Sequence, residues 1–512
     1  MAGTATASMS VQDALWLTMD RPNNLMVVDG AMVLRGVPDM ADVRAIYARA
    51  VARFPVLGRR AVKSGLGWAW QDDPDFDLDR HINLVELDAG TGIAELQRFM
   101  AEQRSKPLPK DRPLWTTYLL SPLTLDDGTE GAAIVSRFHH SIADGVRLTQ
   151  LILGLCDSDE ASVGAVVART GVQSGDAPSP PEEIGRVAVH AAEEVAHVVE
   201  HGVGEVATHA AGAVRNPLAA LAHLPGRALD VAKAGVHGVE GGLSMIRHPD
   251  RLLDALEVLG AEQHRSLNDL SSVTKIALTG TEQTVWSGRP GTEKALAWSH
   301  PVPLEEVKAV GAASGATVND VLLASIAGGM QRYLNEHGED LEELTWMVPV
   351  NLKPFEDNLP PDLGNFFALV FMPMPLDAQD LPTRLEQMHH RMQRIKNSDE
   401  AVLTFGLQRM VSMSPGQIAF FLTNFFANKA VGVLTNVPGP TGQLRYGGVE
   451  VDQVVGFAPC SGDQPMTATI FSYNGGVTVG FATDAGLLPD PDTLVEYVMA
   501  EFEQMRAEFG VG

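Results

Sequence analysis

One stretch constrains the fold of this chain more than any other: residues 131–155, GAAIVSRFHHSIADGVRLTQLILGL. The apolar run before the two histidines contains β-branched residues, which is typical of a buried strand. After Asp144 and Gly145 the apolar side chains recur at helical spacing, which predicts a helix with Asp144 as its N-cap. The histidine pair is therefore expected where a strand turns sharply into a helix.

His139 and His140 are neighbours on the end of that strand. Because neighbouring side chains of a strand point to opposite faces, at most one of the two is expected to perform chemistry. A two-histidine metal site is disfavoured for the same reason, since metal ligands must converge on one point. The alternative is a pair of packed, hydrogen-bonded histidines, but the Asp144–Gly145 turn that follows favours a functional site.

The overall charge and length limit the possible functions. The chain has 512 residues, a length that predicts two domains or one large bilobal unit. Its net charge of −26 disfavours a nucleic-acid partner and attraction to anionic lipid. Two cysteines far apart in sequence indicate a reducing compartment. Since neither a secretory signal nor an apolar run of transmembrane length is present, we expect a cytoplasmic protein, soluble or peripheral to a membrane.

Three regions are predicted along the chain. Residues 1–158 are typical of a mixed α/β lobe, in which a strand at 113–123, the turn DDGTEG and the histidine strand predict a hairpin. Residues 159–271 begin as a polar, proline-containing linker and become rich in alanine and histidine, which predicts a helical crossover rather than a metal site. Residues 272–512 predict a second α/β lobe, in which residues 466–490 are expected to form a hairpin with an Asn-Gly-Gly turn. The expected fold class is therefore α/β with mixed sheets in two lobes.

Common catalytic motifs are absent from the sequence. There is no GxSxG nucleophile elbow, no GxxxxGK[ST] loop, no GxGxxG after a strand and no spacing typical of metal ligands. What remains is a histidine at a strand end without a nucleophile of its own. Such a histidine suits a general base that acts on a nucleophile arriving with the substrate.

The segment FHHSIADG resembles the HHxxxDG signature of the CoA-dependent acyltransferases of the chloramphenicol acetyltransferase and condensation-domain superfamily. More narrowly, the chain resembles the bacterial bifunctional wax ester synthase/acyl-CoA:diacylglycerol acyltransferase family. The region 160–270 departs from the family pattern. The other supporting motifs follow in family order: RPLW (112–115), GATVNDVLLA (315–324), MVPVNLKP (347–354), LGNFFALVFMPMP (363–375), TNVPGP (435–440) and FSYNGGVTVGFATD (471–484).

The resemblance implies two chloramphenicol-acetyltransferase-like lobes with a substrate tunnel between them. It implies transfer of a long-chain fatty acyl group from acyl-CoA to a fatty alcohol or a diacylglycerol, giving wax esters or triacylglycerol. Acyl-CoA is then a substrate, and neither a cofactor nor a metal is expected. Two alternatives stay open: transfer to another hydroxyl or to an amine, as in condensation domains, and a non-catalytic lipid-binding protein.

The resemblance also assigns roles around the motif. His140 would be the general base, and no acyl group would be attached to the enzyme. His139 would point away and support the strand end. Asp144 would hold the loop by pairing with an arginine, for which Arg137 and Arg147 are the candidates. Gly145 would allow close backbone approach at the helix start.

Further candidates lie elsewhere in the chain. Asn319 would donate a hydrogen bond to the substrate or the developing oxyanion, or else be a helix N-cap. The PLW segment and the turn after Asn436 would contact substrate or shape the site by packing, and Asp320 would be substrate-binding or structural. The candidate substrate-binding residues are Pro113, Leu114, Trp115, Asp320, Asn436 and Pro438.

Two surface features concern the proposed substrates. Lys106, Lys110 and Arg112 are cationic candidates for the phosphates of coenzyme A in an otherwise acidic chain. In residues 416–432, an apolar helical stripe that includes Leu422, Phe425 and Phe426 is either core or a contact with a membrane or lipid-droplet surface.

Overall fold

The computed structural model describes residues 6–65, 67–156, 283–351, 359–396, 404, 408 and 416–511. Except for residue 404, they belong to one compact unit. The predicted linker and crossover of 159–271, with its histidines, lie outside the described residues. The three domain boundaries therefore stay a prediction.

The described residues form mixed α/β structure, which confirms the predicted fold class. The strands are β1 (Thr6–Ser8), β2 (Val27–Arg35), β3 (Arg59–Ser64), β4 (Gly67–Asp72), β5 (Ile82–Glu86), β6 (Trp115–Thr124), β7 (Glu130–His139), β8 (Lys294–Trp298), β9 (Val302–Pro303), β10 (Glu343–Asn351), β11 (Phe367–Pro375), β12 (Gly432–Pro438), β13 (Arg445–Tyr446), β14 (Val449–Phe457), β15 (Met466–Tyr473) and β16 (Gly476–Asp484). The helices are α1 (Val11–Met19), α2 (Met40–Arg53), α3 (Ile93–Arg104), α4 (Gly145–Leu153), α5 (Leu304–Ser314), α6 (Val318–Glu336), α7 (Leu381–Lys396), α8 (Gly416–Ala427) and α9 (Pro491–Glu508).

The sheet that carries the histidines has six strands in the order β13-β14-β2-β7-β6-β5. The predicted hairpin is present, because β6 pairs antiparallel with β7 and places Trp115 opposite Phe138. On its other side β7 pairs with β2, which places Val27 opposite His139. The sequence assigned residues 445–457 to the second lobe, yet β14 pairs antiparallel with β2 and extends the first sheet. Both halves of the chain thus build the sheet that positions the site.

A second sheet has seven strands in the order β11-β10-β12-β15-β16-β8, with β9 paired to β16. Its β15–β16 hairpin turns at Asn474 and Gly475, whose φ angles are 47° and 78°. Positive φ at both positions is what an Asn-Gly turn supplies, so the hairpin predicted from the sequence is confirmed. A third, small sheet contains β1, β4 and β3.

The core of the second lobe depends on a close helix contact. Helix α6 is almost continuously buried from Asp320 to Met330 and lies against α9. A Cβ atom at Gly329 would lie 2.7 Å from the backbone nitrogen of Val498. Glycine is therefore required there because the α9 backbone occupies the space of a side chain.

Length and hydropathy together determine whether a helix can cross a bilayer. Among the described residues, no helix is by itself long and apolar enough to do so. Helices α5 and α6 meet the criteria of length and composition only when taken together, and the pair is bent by 94°.

The glycine contact generates a stability prediction. The substitution Gly329→Val should lower the free energy of unfolding by about 1–3 kcal/mol, because the branched side chain must displace the α9 backbone. The melting temperature of the purified variant measures this loss. Ala312→Val adds the same branched side chain to an exposed helical position on α5 and should change stability less. Equal melting temperatures for the two variants would contradict the close contact.

Candidate active site

The histidine segment folds as the sequence predicts. Strand β7 ends at His139, Asp144 is the N-cap, and α4 begins at Gly145. The Oδ1 atom of Asp144 accepts the backbone N–H of Arg147 at 2.9 Å, which caps the helix. Its Oδ2 atom accepts the backbone N–H of Phe366, also at 2.9 Å. The carboxylate therefore both caps α4 and binds the segment that leads into β11.

Residues 364–366 run alongside the histidine loop. The backbone N–H of Asp144 donates to the Gly364 carbonyl at 3.2 Å, and the N–H of Gly364 donates to the Ile142 carbonyl at 3.3 Å. The side-chain Nδ2 of Asn365 donates to the His140 carbonyl at 2.9 Å. Gly364 has a φ of +83°, a conformation that favours glycine. The loop is thus held by a segment more than two hundred residues later in the chain.

His140 is enclosed by aromatic side chains. Its ring stacks on Trp16 with 4.2 Å between centroids and is tilted against Phe367 at 5.5 Å. Burial lowers the pKa of His140, and the negative charge of nearby Asp144 opposes that effect. The imidazole is therefore neutral at neutral pH and able to accept a proton.

His139 has different contacts. Its Nδ1 accepts the backbone N–H of Ser141 at 3.1 Å and lies 2.8 Å from the Ser141 hydroxyl. Its Nε2 is 4.0 Å from Asp20 Oδ1. Since Nδ1 accepts a backbone hydrogen bond, the ring proton belongs on Nε2. Burial lowers the pKa of His139 to about 4. These contacts hold the ring within the loop.

The two arginine candidates for Asp144 differ in position. Arg137 is buried and binds Asp29, with 2.8 Å between Nε and Oδ1, so it is not the partner of Asp144 and that assignment is wrong. The guanidinium of Arg147 donates to the Leu363 carbonyl and lies 4.5 Å from the centre of the Phe366 ring. Arg147 also binds the Asp144 carboxylate through its backbone N–H. Of the two arginines, Arg147 is therefore the one that contacts Asp144.

The second-lobe candidates form a separate group. The N-cap of α6 is Thr317, so the N-cap alternative for Asn319 is wrong. Instead, Asn319 Oδ1 accepts a hydrogen bond from Asn436 Nδ2 at 2.8 Å, which brings two distant motifs together. Pro438 ends β12 and is half-buried. In the described part of the chain, no direct hydrogen bond joins the Asn319–Asn436 pair to His140.

Asp320 is fully buried and takes part in a capping box with Thr317. Its Oδ2 atom accepts the backbone N–H of Thr317 at 2.9 Å and lies 2.7 Å from Nδ1 of His389. Both contacts stabilise the start of α6. The structure therefore favours the structural alternative for this residue.

The PLW segment lies beside the end of the histidine strand, in the same sheet. Trp115 stacks on His81 at 4.4 Å and donates its indole N–H to the Leu57 carbonyl at 2.8 Å. The carbonyl of Leu114 accepts the backbone N–H of His139 at 2.9 Å, and Pro113 is buried beside it. This position favours packing over direct contact with substrate.

Gly145 has open space at its Cβ position: among the described residues, apart from its chain neighbours and its own helix backbone, no atom would lie within 4 Å of a Cβ there. The close approach expected there is therefore not made by the protein backbone. Within the described ranges, no cluster of three or more histidine, cysteine, aspartate or glutamate side chains could hold a metal ion.

A strand–loop–helix that carries HHxxxDG, set in one of two mixed sheets, defines a two-lobe acyltransferase fold. Residues 9–322 match the model of the wax ester synthase/diacylglycerol acyltransferase catalytic domain, and residues 363–506 match the C-terminal domain of the same family. The chain belongs to the wax ester synthase/diacylglycerol acyltransferase family and is an O-acyltransferase.

Individual relatives agree with the family models. A Mycobacterium tuberculosis (strain H37Rv) protein, named as a candidate diacylglycerol O-acyltransferase, is 23% identical over 98% of this chain and 96% of its own length. The solved wax ester synthase/diacylglycerol acyltransferase of Marinobacter aquaeolei VT8 has a TM-score of 0.60 at 18% identity, covering 98% of this chain and 100% of that chain. A starter condensation domain of rhizomide synthetase has a TM-score of 0.52 at 13% identity, covering 99% and 94% of the two chains. Both structures show likeness of fold.

Several functional contacts were missed by reasoning from the sequence. Trp16 and Phe367 enclose His140, and Asn365 binds its carbonyl, yet none was a candidate. The only available signal was that Asn365 and Phe367 fall in the LGNFFALVFMPMP motif. A motif shows that a segment belongs to the family, but it does not show which distant residue the segment contacts.

The buried His139 generates a pH prediction. In the unfolded chain a histidine binds its proton below about pH 6.5, whereas folded His139 does so only below about pH 4. Between these values the unfolded state binds more protons, so this residue lowers stability as the pH falls, by up to about 3 kcal/mol. Melting temperatures at pH 7.5 and 5 should therefore differ less in His139→Asn than in the wild type. His390→Asn, at an exposed histidine, should keep the wild-type difference.

Proposed function

We propose that this protein transfers a long-chain fatty acyl group from acyl-CoA to the hydroxyl of a fatty alcohol or a diacylglycerol, with His140 as general base. The observation that carries the proposal is the buried imidazole of His140, which packs against the rings of Trp16 and Phe367 and is adjacent to a histidine that is fixed by its own loop. The names of the relatives support the substrate classes, because they combine wax ester synthesis with diacylglycerol acylation.

In the proposed reaction, Nε2 of His140 accepts the proton of the acceptor hydroxyl while its oxygen attacks the thioester carbonyl. The tetrahedral intermediate then collapses, the carbon–sulfur bond breaks, and the imidazolium returns the proton to the sulfur of coenzyme A. The acyl group passes directly between the substrates. The negative charge of Asp144 favours the imidazolium that forms during this cycle, since it acts to raise the pKa of His140.

Asn319 is the proposed donor to the developing oxyanion. Its Oδ1 atom is engaged by Asn436, so the orientation of the amide is fixed with Nδ2 as the donor. An orientation fixed in advance is what makes an oxyanion donor effective, because it need not reorganise during the reaction.

Acyl-CoA as donor is supported by the rhizomide synthetase condensation domain of similar fold, whose structure was solved in complex with C8-CoA. The three cationic candidates for the CoA phosphates all make ion pairs: Lys106 with Glu102 at 3.5 Å, Lys110 with Asp20 at 2.9 Å and Arg112 with Asp111 at 3.0 Å. Phosphates would have to compete with these carboxylates, so the patch is not an argument for the proposal.

A different acceptor is the second candidate function. The condensation domain of similar fold, whose structure was solved with C8-CoA and Leu-SNAC, supports an amine acceptor. Incubation of purified protein with labelled palmitoyl-CoA and hexadecanol, dioleoylglycerol or no acceptor separates these possibilities, because transfer to neither lipid would exclude both proposed products.

The first catalytic prediction compares the two histidines. His140→Ala should lower turnover at saturating substrates by about 10²–10⁴-fold, because general-base catalysis contributes that much. Its melting temperature should be close to the wild-type value. His139→Ala and Asp144→Ala should lose stability, and activity only as far as the loop is displaced. Turnover in the same acyl-transfer assay, with melting temperatures, measures both effects.

The opposite pattern would contradict the assignment. A folded His140→Ala protein with wild-type turnover would exclude His140 as the base. If folded His139→Ala were then inactive, the assignment of opposite roles to the two neighbouring rings would also be wrong.

The proposed lipid substrates require contact with a lipid surface, and we infer that α8 makes it from the cytoplasmic side. Leu422, Phe425 and Phe426 are all half-buried in this helix, so part of their apolar surface remains accessible. The Phe425 and Phe426 rings are 5.5 Å apart. With a net charge of −26, attachment would depend on apolar burial rather than on attraction to anionic lipid.

Vesicle binding tests this part of the proposal. Binding to phosphatidylcholine vesicles should persist at high salt and weaken in Phe425→Asp, because apolar burial is not screened. Val37→Asp, at an exposed apolar residue outside α8, should bind as the wild type does. Binding that disappears at moderate salt would contradict the mechanism.

A further inference from the structure

A buried carboxyl group on α1 lies close to the proposed base. Asp13 is 8% exposed and stands one helical turn after the N-cap Ser10. Its Oδ1 atom accepts a hydrogen bond from Nδ2 of Asn365 at 2.8 Å. The same Nδ2 donates to the carbonyl of His140 at 2.9 Å. One amide group therefore joins Asp13 to the residue that is proposed to act as base.

These two hydrogen bonds fix the orientation of the Asn365 amide. Both bonds use its nitrogen, so its oxygen must point away from Asp13 and from the His140 carbonyl. Among the described residues, Oδ1 of Asn365 and Nδ1 of His140 are both buried without a hydrogen-bond partner. The Asn365 side chain is nevertheless close enough to raise the pKa of His140. Because the Asn365 side chain acts on the imidazole, its unpaired oxygen is an acceptor available to the unpaired ring nitrogen.

Helix α1 also limits the position of the ring. Trp16, three residues after Asp13, stacks on His140 at 4.2 Å. The imidazole can therefore rotate little out of its plane. For a ring held in this way, a hydrogen-bond partner at Nδ1 determines which of the two ring nitrogens carries the proton.

We propose that Asp13 is a positioning residue for the general base: through Asn365 it holds an amide oxygen beside Nδ1 of His140, which keeps the ring proton on Nδ1 and the lone pair on Nε2. This inference rests on the proposed function of His140. When Nε2 accepts the substrate proton, the Nδ1–H of the imidazolium donates to Asn365, whose Nδ2 donates to the carboxylate. No proton needs to leave Nδ1 in this arrangement.

Titration of Asp13 adds a signature that a purely structural role would lack. Burial raises the pKa of Asp13 to about 6, with nearby Asp144 also raising it and Asn365 and Arg147 lowering it. The charged groups around His140 are Asp144 on the loop and, when protonated, His139. Above about pH 6 Asp13 is ionised and is a stronger acceptor for the Asn365 amide, which in this proposal stabilises the protonated form of His140. The rise of kcat with pH on the acid side should thus follow the loss of two protons, one from Asp13 and one from His140.

The test is the pH profile of kcat in Asp13→Asn, measured with palmitoyl-CoA and the better of hexadecanol and dioleoylglycerol. We expect kcat at pH 8 to fall about tenfold, a fraction of the whole contribution of a general base, with KM unchanged. The acid limb should move to lower pH, because the His140 pKa falls without the carboxylate, and should become a one-proton limb. Asp42→Asn, which removes an exposed carboxylate from the first turn of α2, should keep the wild-type profile.

An unmoved acid limb in folded Asp13→Asn would overturn the inference, even if kcat fell, because a structural defect lowers the rate without changing the ionisation. A change in KM alone would overturn it as well. If Asp13→Asn does not fold, Asn365→Ala decides by the same criteria. His140→Ala in the same assay separates the two claims: an active His140→Ala overturns the base assignment, whereas an inactive one with a wild-type Asp13→Asn profile overturns the role of Asp13 alone.

Discussion

The Asp144 carboxylate is the interaction on which the site depends, because its two oxygens bind in two directions. One oxygen caps α4, and the other binds the backbone of Phe366, which lies more than two hundred residues later in the chain. A single buried charge thus fixes the start of a helix from the first lobe and a segment of the second. Removing it would leave two backbone N–H groups without their acceptor in a buried place, which costs more than the bonds themselves contribute.

A second, buried interaction, a pair of ion pairs to one aspartate, holds the histidine strand in position. Asp29 on β2 binds both Arg137 on β7, at 2.8 Å, and Arg104 on α3, at 2.7 Å. All three side chains are at least nine-tenths buried, so each charge depends on the others for compensation. Loss of Asp29 would leave two buried guanidinium groups beside the strand that carries His139. Buried charge pairing and backbone hydrogen bonds together hold that strand in its sheet.

Local patterns predicted local structure well. The strand–turn–helix around His140, the β6–β7 hairpin and the Asn-Gly turn of β15–β16 were all predicted, because each depends on residues close in sequence. The resemblance to known motifs predicted the family. What the sequence could not show were contacts across long separations, such as those of Trp16 and Asn365 with His140. The Arg137 alternative was wrong for the same reason, since Arg137 binds Asp29 on the neighbouring strand.

The pairing of β14 with β2 affects the order in which the protein can be assembled. The sheet that holds His139 gains β14 only after residue 457 has been synthesised, and the loop segment at 364–366 is also late. Loop closure over several hundred residues must therefore precede completion of the first lobe, and contacts of such length slow folding. A nascent chain that ends before β14 exposes the edge of β2, which is a template for pairing with other strands. A growing chain therefore keeps an open sheet edge until residues 449–457 are available to cover it.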